Sequence, residues 1–185
     1  MHMKKIILIA IASFTIIQCS KKENQFLIKN NNIGQIQKNY TLKQIDSVFK
    51  NDSIVKQVNG DGFTGNYSDI EVYEKGGKHL LSLSPKDIYD SNTKINIVTL
   101  RDERYKTAKG VGITSTFKDF KDNYEVLKID RILNNINIEF KNNDFYITIS
   151  IDELPGNYKF DYTRAIDVAS IPDDAKIKNM RLDWF

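Results

Sequence analysis

The stretch TLKQIDSVF, residues 41–49, predicts a short helix that begins directly after Thr41. A threonine followed three residues later by glutamine is typical of a capping box, in which both side chains satisfy free backbone groups. The apolar residues then fall on one helical face, at Leu42, Ile45 and Phe49. A second stretch of the same kind, TFKDFKDNY, occupies residues 116–124, with its own apolar face at Phe117, Phe120 and Tyr124.

These two stretches are the centre of a wider internal match. An offset of 116 − 41 = 75 positions aligns the chain with itself around both helices without a gap. The two residues of each aligned pair have the same role in their halves: in the strand before the helix, at the cap, on the core face or as acceptor in the first turn. The pairs are Ile36 with Val111, Thr41 with Thr116, Leu42 with Phe117, Lys43 with Lys118, Gln44 with Asp119, Ile45 with Phe120 and Phe49 with Tyr124. Either the chain is a tandem repeat, or the match arises only because any two capped short helices followed by strands have this pattern.

Alternating apolar residues predict strands after each helix. The predicted strands are residues 54–58, 69–75, 78–84, 94–100, 126–130, 136–140, 145–151 and 176–184. Gly76-Gly77 and Asn142-Asn143-Asp144 suit tight turns, whereas residues 152–172 have no sustained period. We therefore predict an α+β fold, mostly antiparallel sheet with two short helices, in which helix plus four strands occurs twice. Neither half could bury both faces of its own sheet, so the halves should pack as one unit.

The segment Ile36-Gln37-Lys38-Asn39-Tyr40-Thr41-Leu42-Lys43-Gln44-Ile45 resembles the helix-opening pattern I-x-x-G-M-T-x-x-[EQ]-V. That pattern is found in small outer-membrane lipoproteins that assist β-barrel assembly and in β-lactamase inhibitory proteins, which are tandem helix-plus-four-strand repeats. Asn39-Tyr40 replace Gly-Met here, and Thr114-Ser115 stand at the corresponding positions of the second half. The resemblance implies a concave sheet surface that grips another protein and carries out no catalysis.

The first residues have the pattern of a targeting signal. Lys4-Lys5 precede an apolar run of 12 residues, Ile6–Ile17, which is too short for a membrane span of about 20 residues. Ile16-Ile17-Gln18-Cys19 resembles the lipobox of bacterial lipoproteins, although glutamine replaces the usual small residue before the cysteine. The resemblance implies that Cys19 is acylated and becomes the mature N-terminus. The alternative is a secreted protein with an incidental thiol.

The signal divides the chain into three predicted parts. These are a signal peptide at residues 1–18, a lipidated tether at 19–32 and a single α+β domain at 33–185, with two similar halves at about 33–107 and 108–185. Ser20 stands where an aspartate would resemble an inner-membrane retention signal. The resemblance therefore implies a lipid-anchored protein of the outer membrane, on its periplasmic or its outer surface.

The composition restricts the classes of partner and chemistry. Removing the signal peptide takes two of the 27 basic residues and none of the 24 acidic ones, which leaves 25 − 24 = +1. Such a balanced charge gives no reason to expect a nucleic-acid partner. The chain has 1 cysteine, so an acylated Cys19 leaves no internal disulfide and stability depends on packing.

One basic cluster and one aromatic series are the candidate binding residues. The cluster consists of Arg101, Arg104, Tyr105, Lys106 and Lys109. It could bind an anionic group such as a phosphate or an acidic loop, or it could be a solvated connection between the halves. In the series, Tyr158, Phe160 and Tyr162 alternate before Arg164 and would share one strand face, either buried or in contact with a partner.

Residues suited to catalysis or metal binding are sparse. His79 is the one histidine beyond the signal peptide, so the sequence does not supply a zinc site of histidine and cysteine ligands. The groups available to a hydrolase are His79 with Ser82, Ser84 or Asp87, and the carboxylate pairs Asp152-Glu153 and Asp173-Asp174. No Gly-rich phosphate-binding motif is complete, so we expect no cofactor.

Three functions are compatible with this sequence. The first, which we predict, is a membrane-anchored envelope lipoprotein that acts as a non-catalytic binding or accessory module. The second is an envelope hydrolase that uses carboxylates or His79, and the third is an inhibitor or immunity lipoprotein against a periplasmic enzyme. The expected partners are a membrane, through the N-terminal lipid, and another envelope protein.

Overall fold

The structure is a computed structural model that describes residues 24–59 and 67–184. Strands and α-helices follow one another in these ranges: β1 (Leu27–Lys29), β2 (Asn32–Ile33), β3 (Ile36–Gln37), α1 (Leu42–Val48), β4 (Ser53–Asn59), β5 (Tyr67–Tyr73), β6 (His79–Pro85), β7 (Ile95–Leu100), β8 (Lys106–Thr107), α2 (Phe117–Asn123), β9 (Val126–Ile132), β10 (Asn135–Phe140), β11 (Phe145–Ser150), α3 (Asn157–Phe160) and β12 (Ile177–Asp183). Two 3₁₀ turns, Ile151–Glu153 and Val168–Ser170, flank α3. No helix in the two ranges is long and apolar enough to cross a bilayer.

Eight strands form one antiparallel sheet, in the order β4-β5-β6-β7-β12-β11-β10-β9. The first half of the chain supplies β4 to β7, and the second half supplies β9 to β12. The halves join edge to edge where β7 pairs with β12, with Val98 opposite Leu182 and Thr99 opposite Arg181. The predicted α+β class with mostly antiparallel sheet is confirmed.

Both capping boxes predicted from the sequence are present. The Thr41 amide donates to Gln44 Oε1 at 2.9 Å, and the Thr116 amide donates to Asp119 Oδ2 at 2.8 Å. These bonds satisfy amides that would otherwise lack a partner at the start of the helix. Each helix therefore begins at the residue after its threonine.

Each of these helices is also tied to the last strand of its own half. The Leu42 amide donates to the carbonyl oxygen of Thr93 at 3.1 Å, and the Phe117 amide donates to that of Ala175 at 2.9 Å. Thr93 lies just before β7, and Ala175 lies just before β12. Because the two contacts are equivalent, the structure contains the repeat of helix plus four strands that the sequence offset predicts.

The core lies between these helices and one face of the large sheet. In the second half it is aromatic: the Phe120 ring stacks on Phe140 with centroids 5.6 Å apart and meets Phe145 edge to face at 6.2 Å. Tyr124 meets Phe145 at 5.0 Å. Each fully buried phenylalanine stabilises the fold by about 1.5–3 kcal/mol through its removal from water. The aromatic cluster is thus a main source of stability for α2.

The residues that precede the first helix belong to the folded body. β1 lies beside β2 and, in parallel, beside β8, in a second sheet of order β3-β2-β1-β8. Ile28 and Ile33 are buried, and the Phe26 ring meets Tyr105 edge to face at 5.1 Å. The predicted tether at residues 19–32 is therefore too long. From Phe26 onward the chain packs on the connection between the halves. The apolar triplet Phe26-Leu27-Ile28 is the sequence signal for this docked strand.

A third helix lies in the stretch for which the sequence predicted no regular element. α3 is a single turn, and Arg131 holds it by donating to the carbonyl oxygens of Tyr158 and Asp161 at 2.7 and 2.9 Å. Tyr158 is buried, whereas Phe160 and Tyr162 are exposed. The prediction that these three aromatic residues share one strand face is wrong. The contacts that shape the segment come from β9, 27 residues earlier in the chain.

Candidate binding face

One face of the large sheet carries polar side chains. Along β10, Ile136 and Ile138 are buried in the core, and Asn137 and Glu139 lie on the opposite side of the strand. The same alternation runs along β11 and β12. We call the polar side the open face.

A single row of side chains crosses the open face and joins the two halves. Its members lie directly opposite one another on adjacent strands, in the order Glu71, Ser82, Thr99, Arg181, Tyr146, Glu139 and Lys128. Arg181 is in the middle, because it faces Thr99 of the first half and Tyr146 of the second. Cross-strand neighbours have Cβ atoms about 5 Å apart, so the row is continuous. Its first three members, Glu71, Ser82 and Thr99, are buried, so the accessible part of the row begins at Arg181. We call it the central row.

The first-half end of the central row is a closed hydrogen-bond network. Glu71 Oε2 accepts from the Ser82 hydroxyl at 2.6 Å and also lies 2.6 Å from His79 Nε2. Arg101 Nε donates to Ser82 Oγ at 2.8 Å, and the His79 ring stacks on Tyr73 with centroids 4.5 Å apart. Because Ser82 donates to Glu71, this network does not contain the serine–histidine pair that the hydrolase alternative would use.

The second-half end of the open face contains a cavity of about 450 Å³. Its charged lining consists of four carboxylates and one lysine: Asp130, Glu139, Asp144, Asp183 and Lys38. Tyr146, Leu127 and Ile132 also line it and supply apolar surface. The cavity has the size of a small binding pocket, and its excess of acids favours a cationic group.

Two buried polar atoms on this part of the open face have no hydrogen-bond partner among the described residues: Arg181 Nε and Asp183 Oδ1. Burial raises the pKa of Asp183 above its ordinary value, and the charge of Glu139 raises it further. Buried polar groups are nearly always paired in folded proteins. An unpaired donor and an unpaired acceptor two residues apart therefore mark a place where a ligand can complete the hydrogen bonds.

Replacing Asp183 with asparagine is expected to raise the free energy of unfolding at neutral pH by about 1 kcal/mol, because a buried and incompletely paired charge is removed. A carboxyl group whose pKa is raised in the folded state destabilises the fold above that pKa. The advantage of the variant should therefore shrink as the pH falls through the raised pKa. Urea unfolding of both proteins between about pH 4 and pH 8 measures this difference.

The matched control is Asp130→Asn on the same face. Asp130 pairs with Lys128 at 2.6 Å, and both side chains are largely exposed. Its replacement should change the free energy of unfolding by less than about 0.5 kcal/mol. A less stable Asp183→Asn protein at neutral pH would contradict the prediction, since it would mean that the carboxylate is adequately paired.

Arg104 of the predicted basic cluster is the centre of an internal ion-pair group. Its Nη2 lies 2.7 Å from Asp102 Oδ2 and 2.8 Å from Glu74 Oε2, and its guanidinium lies 4.2 Å above the Phe26 ring. Burial raises the pKa of Asp102, but hydrogen bonds from Arg104 and from Lys78 outweigh it and hold the pKa below its ordinary value. Arg104 is therefore engaged in the fold and does not present a free cation to an anionic ligand.

The other members of the basic cluster lie in different places. Lys106 Nζ donates to a threonine hydroxyl at 2.8 Å, and Lys109 Nζ lies 4.4 Å above the Tyr124 ring. Tyr105 is buried, which raises its pKa. Arg101 lies beside the central row. The structure thus does not bring the five residues together as one basic surface, because residues adjacent in sequence point in different directions.

The aromatic series is divided in the same way. The Tyr158 hydroxyl donates to Ser170 Oγ at 2.8 Å, and the Arg164 guanidinium lies 4.5 Å above the Tyr158 ring. Tyr162 is exposed and belongs to a separate surface. Cys19, the predicted lipidation site, lies outside the described residues.

The residues at the centre of the open face were not among the binding residues predicted from the sequence. Arg181, Tyr146 and Asp183 each lie on a strand that was predicted, and each alternates with buried residues. That alternation was the available signal, because it places all three on the solvent side. Their position in one row follows only from the order of the strands in the sheet.

Comparisons with known proteins add information on the fold. Neither protein-family models nor curated protein sequences match this chain. Among solved structures, the chain is similar to the crystal structure of the uncharacterized protein yfeY from Escherichia coli, with a TM-score of 0.52 and 10% sequence identity. The match covers 86% of this chain and 99% of that chain. At this identity the likeness shows a shared fold.

Proposed function

We propose that this chain is a membrane-anchored envelope lipoprotein, acylated on Cys19, that binds another envelope protein through the open face and carries out no catalysis. The observation that carries the binding role is the unpaired, buried donor and acceptor of Arg181 and Asp183. The lipobox-like sequence that ends at Cys19 supports the anchor.

A partner could complete the hydrogen bonds that the open face leaves unmade. Desolvating an unpaired polar group costs about 1–3 kcal/mol, and a partner that supplies the missing acceptor or donor recovers much of this cost. Arginine and tyrosine are enriched among the residues that dominate binding energy at protein interfaces. Arg181 and Tyr146 are neighbours in the central row. They are therefore the expected centre of the interface.

The charge of the cavity indicates the chemistry of the partner. Asp130, Glu139, Asp144 and Asp183 outnumber Lys38 in its lining. A lysine or arginine on a loop of the partner would fit this cavity and would also pair with Asp183. The rest of the central row is polar with both signs of charge, so the partner surface should be polar and mixed as well.

The form of the hydrolase alternative that would use His79 with Ser82 receives less support than the binding role. Ser82 is almost fully buried and donates to Glu71, so neither its position nor its hydrogen bond suits an attacking hydroxyl. The inhibitor or immunity alternative differs from our proposal only in the identity of the partner, which would be a periplasmic enzyme. Both protein-binding roles are therefore tested by the same interface variants.

Replacing Arg181 with alanine is expected to weaken binding of the partner by at least about 2 kcal/mol, or roughly 30-fold, because it removes the central side chain of the row. The full-length protein is purified from native membranes, and everything that co-purifies in stoichiometric amount is identified. The partner should be recovered with the unaltered chain and lost with Arg181→Ala.

The control for this experiment is Lys118→Ala on α2, away from the open face. Lys118 makes an exposed ion pair with Asp122 at 2.6 Å, so its loss should leave binding unchanged. Equal recovery of the partner by Arg181→Ala and the unaltered chain would exclude the open face as the interface. Mass spectrometry tests the anchor independently, since an unmodified thiol at Cys19 would refute it.

A further inference from the structure

Three exposed apolar side chains lie near Arg131 at the edge of the large sheet. Leu133 is 79% exposed directly after β9, and Phe160 and Tyr162 are 87% and 66% exposed at the end of α3. We call these three residues the tip patch. An exposed apolar group of this kind is a typical mark of a contact with a protein or a membrane.

One arginine fixes both parts of the tip patch. Arg131 Nε donates to the carbonyl oxygen of Leu133 at 3.3 Å, and its Nη1 donates to that of Asp161 at 2.9 Å. The guanidinium also lies 4.1 Å from the centroid of the Tyr162 ring. The strand turn and the α3 segment are therefore held against one group, so the patch is a defined surface.

The conformation of Leu133 is unfavourable for a leucine. It occupies the first position of the two-residue turn between Ile132 and Asn135, which are paired, and its φ is 53°. Positive φ at this position favours glycine or asparagine, and a leucine there is strained. Its side chain is not buried in return. A strained and exposed apolar residue indicates a role outside the folding of the chain itself.

The tip patch lies at the end of the sheet where the chain enters the fold. In an antiparallel sheet of this order, β5, β7, β9 and β11 all finish at one end, which we call the tip end. Phe26 lies under Arg104, which pairs with Glu74 directly after β5. The N-terminal segment therefore enters the folded body at the tip end as well.

The short sequence between the anchor and the fold limits how far this end can be from a lipid surface. Cys19 and Asn24 are 24 − 19 = 5 positions apart. Five residues span at most about 17 Å even when fully extended. An acylated Cys19 would thus keep Asn24, on the first-half side of the tip end, within about 17 Å of the leaflet.

We propose that the tip patch is a second membrane contact, which inserts into the interfacial region of the lipid leaflet that holds the acyl chains of Cys19. This inference rests on the lipid anchor of the proposed function. Leucine and phenylalanine would enter the acyl boundary, and tyrosine suits the headgroup level. Lys159 pairs with Asp152 at 2.9 Å and Arg131 is bonded to carbonyl oxygens. The contact should therefore depend on apolar insertion and only weakly on anionic lipid.

Two contacts at the tip end would set the orientation of the whole protein. The central strands of the twisted sheet would stand upright on the membrane, and the open face would be perpendicular to the leaflet there. The central row would then be accessible from the side to a partner in the same membrane or in the adjoining compartment.

The test places a single fluorescent label on the acylated full-length protein in phosphatidylethanolamine vesicles. The chain has 1 cysteine, and acylation blocks it, so an introduced thiol is labelled specifically. Leu133→Cys carries the label at the tip patch. Tyr89→Cys is the matched control, because Tyr89 is 78% exposed and lies between β6 and β7, at the opposite end of the sheet.

A lipid-borne quencher should quench the Leu133→Cys label at least about threefold more than the Tyr89→Cys label, because the first label would lie at the acyl boundary. Aqueous iodide should quench the Tyr89→Cys label more than the Leu133→Cys label. Addition of phosphatidylglycerol should change neither result. Equal exposure of both labels to iodide on vesicle-bound protein would overturn the tip contact and leave the anchor standing. Protein that stays in water with an unmodified Cys19 would overturn both.

A second variant separates the membrane contact from folding. Leu133→Asn should keep or slightly raise the melting temperature, because asparagine tolerates positive φ. In a protein labelled at Phe160→Cys, adding Leu133→Asn should lower quenching of the label by the lipid-borne quencher by about half, since part of the inserted surface is lost. Unchanged quenching would overturn the proposal.

Discussion

Replacing Phe120 with alanine is expected to lower the free energy of unfolding by about 3–5 kcal/mol, because it leaves a cavity within the aromatic core. Phe120 is fully buried and contacts the rings of Phe140 and Phe145. It also lies on the face that α2 turns to the sheet, so its loss should loosen the helix of the second half. Urea denaturation of the full-length protein measures the change.

The control for Phe120→Ala is Phe160→Ala, which removes the same side chain from an exposed position. This variant should differ from the unaltered protein by less than about 0.5 kcal/mol. The comparison isolates burial as the cause. A loss below about 1 kcal/mol in Phe120→Ala would contradict the packing described for the second half.

Replacing Arg104 with methionine is expected to lower the free energy of unfolding by about 2–3 kcal/mol at neutral pH, because the Asp102 carboxylate stays buried without its main partner. The Asp102 side chain is fully buried, and Lys78 Nζ, at 3.3 Å, is the ion-pair partner that would remain. Arg104 itself is partly exposed, so the expected loss is smaller than for a fully buried pair. Urea denaturation again gives the measurement.

The contribution of Asp102 to the pH dependence of stability should change sign in the Arg104→Met protein. In the unaltered protein the pKa of Asp102 is lowered. Its contribution is therefore complete above the unfolded-state pKa of about 4 and is lost as the pH falls through the folded-state pKa. Without Arg104, burial should raise this pKa, so the free energy of unfolding should increase as the pH falls through the raised value.

A double variant completes the comparison. Asp102→Asn combined with Arg104→Met removes both charges, and it should recover most of the stability lost in the single variant. It should also show a weaker dependence on pH than either protein. A double variant that is as unstable as Arg104→Met would mean that Arg104 acts through its contact with Phe26 and not through Asp102.

Local signals were sufficient for the two capped helices and for most strands of this protein. The Thr41 and Thr116 caps were predicted because a capping box involves residues three positions apart. The β10–β11 hairpin was predicted because alternation along each strand and the Asn142-Asn143-Asp144 turn are both visible in the sequence. The internal offset placed the second helix in the same role as the first.

The candidate site was harder to predict, because it is defined by which strands are neighbours. The residues of the basic cluster are close together in sequence, yet Arg104 is neutralised by Asp102 and by Glu74, which lies 30 positions away. Arg181 lies on a strand whose other basic residue is Lys178, and neither was among the predicted binding residues. Its importance comes from its position between Thr99 and Tyr146.

The amino-acid sequence by itself determined the two capped helices, the alternation of the strands and their repetition, because each depends on residues close together in the chain. Only the tertiary structure decided that β7 pairs with β12, that β1 lies beside β8 and that Arg131 shapes α3. These contacts join residues that are distant in sequence. Their formation depends on the burial of the whole core and on the geometry of the twisted sheet, which no local pattern specifies.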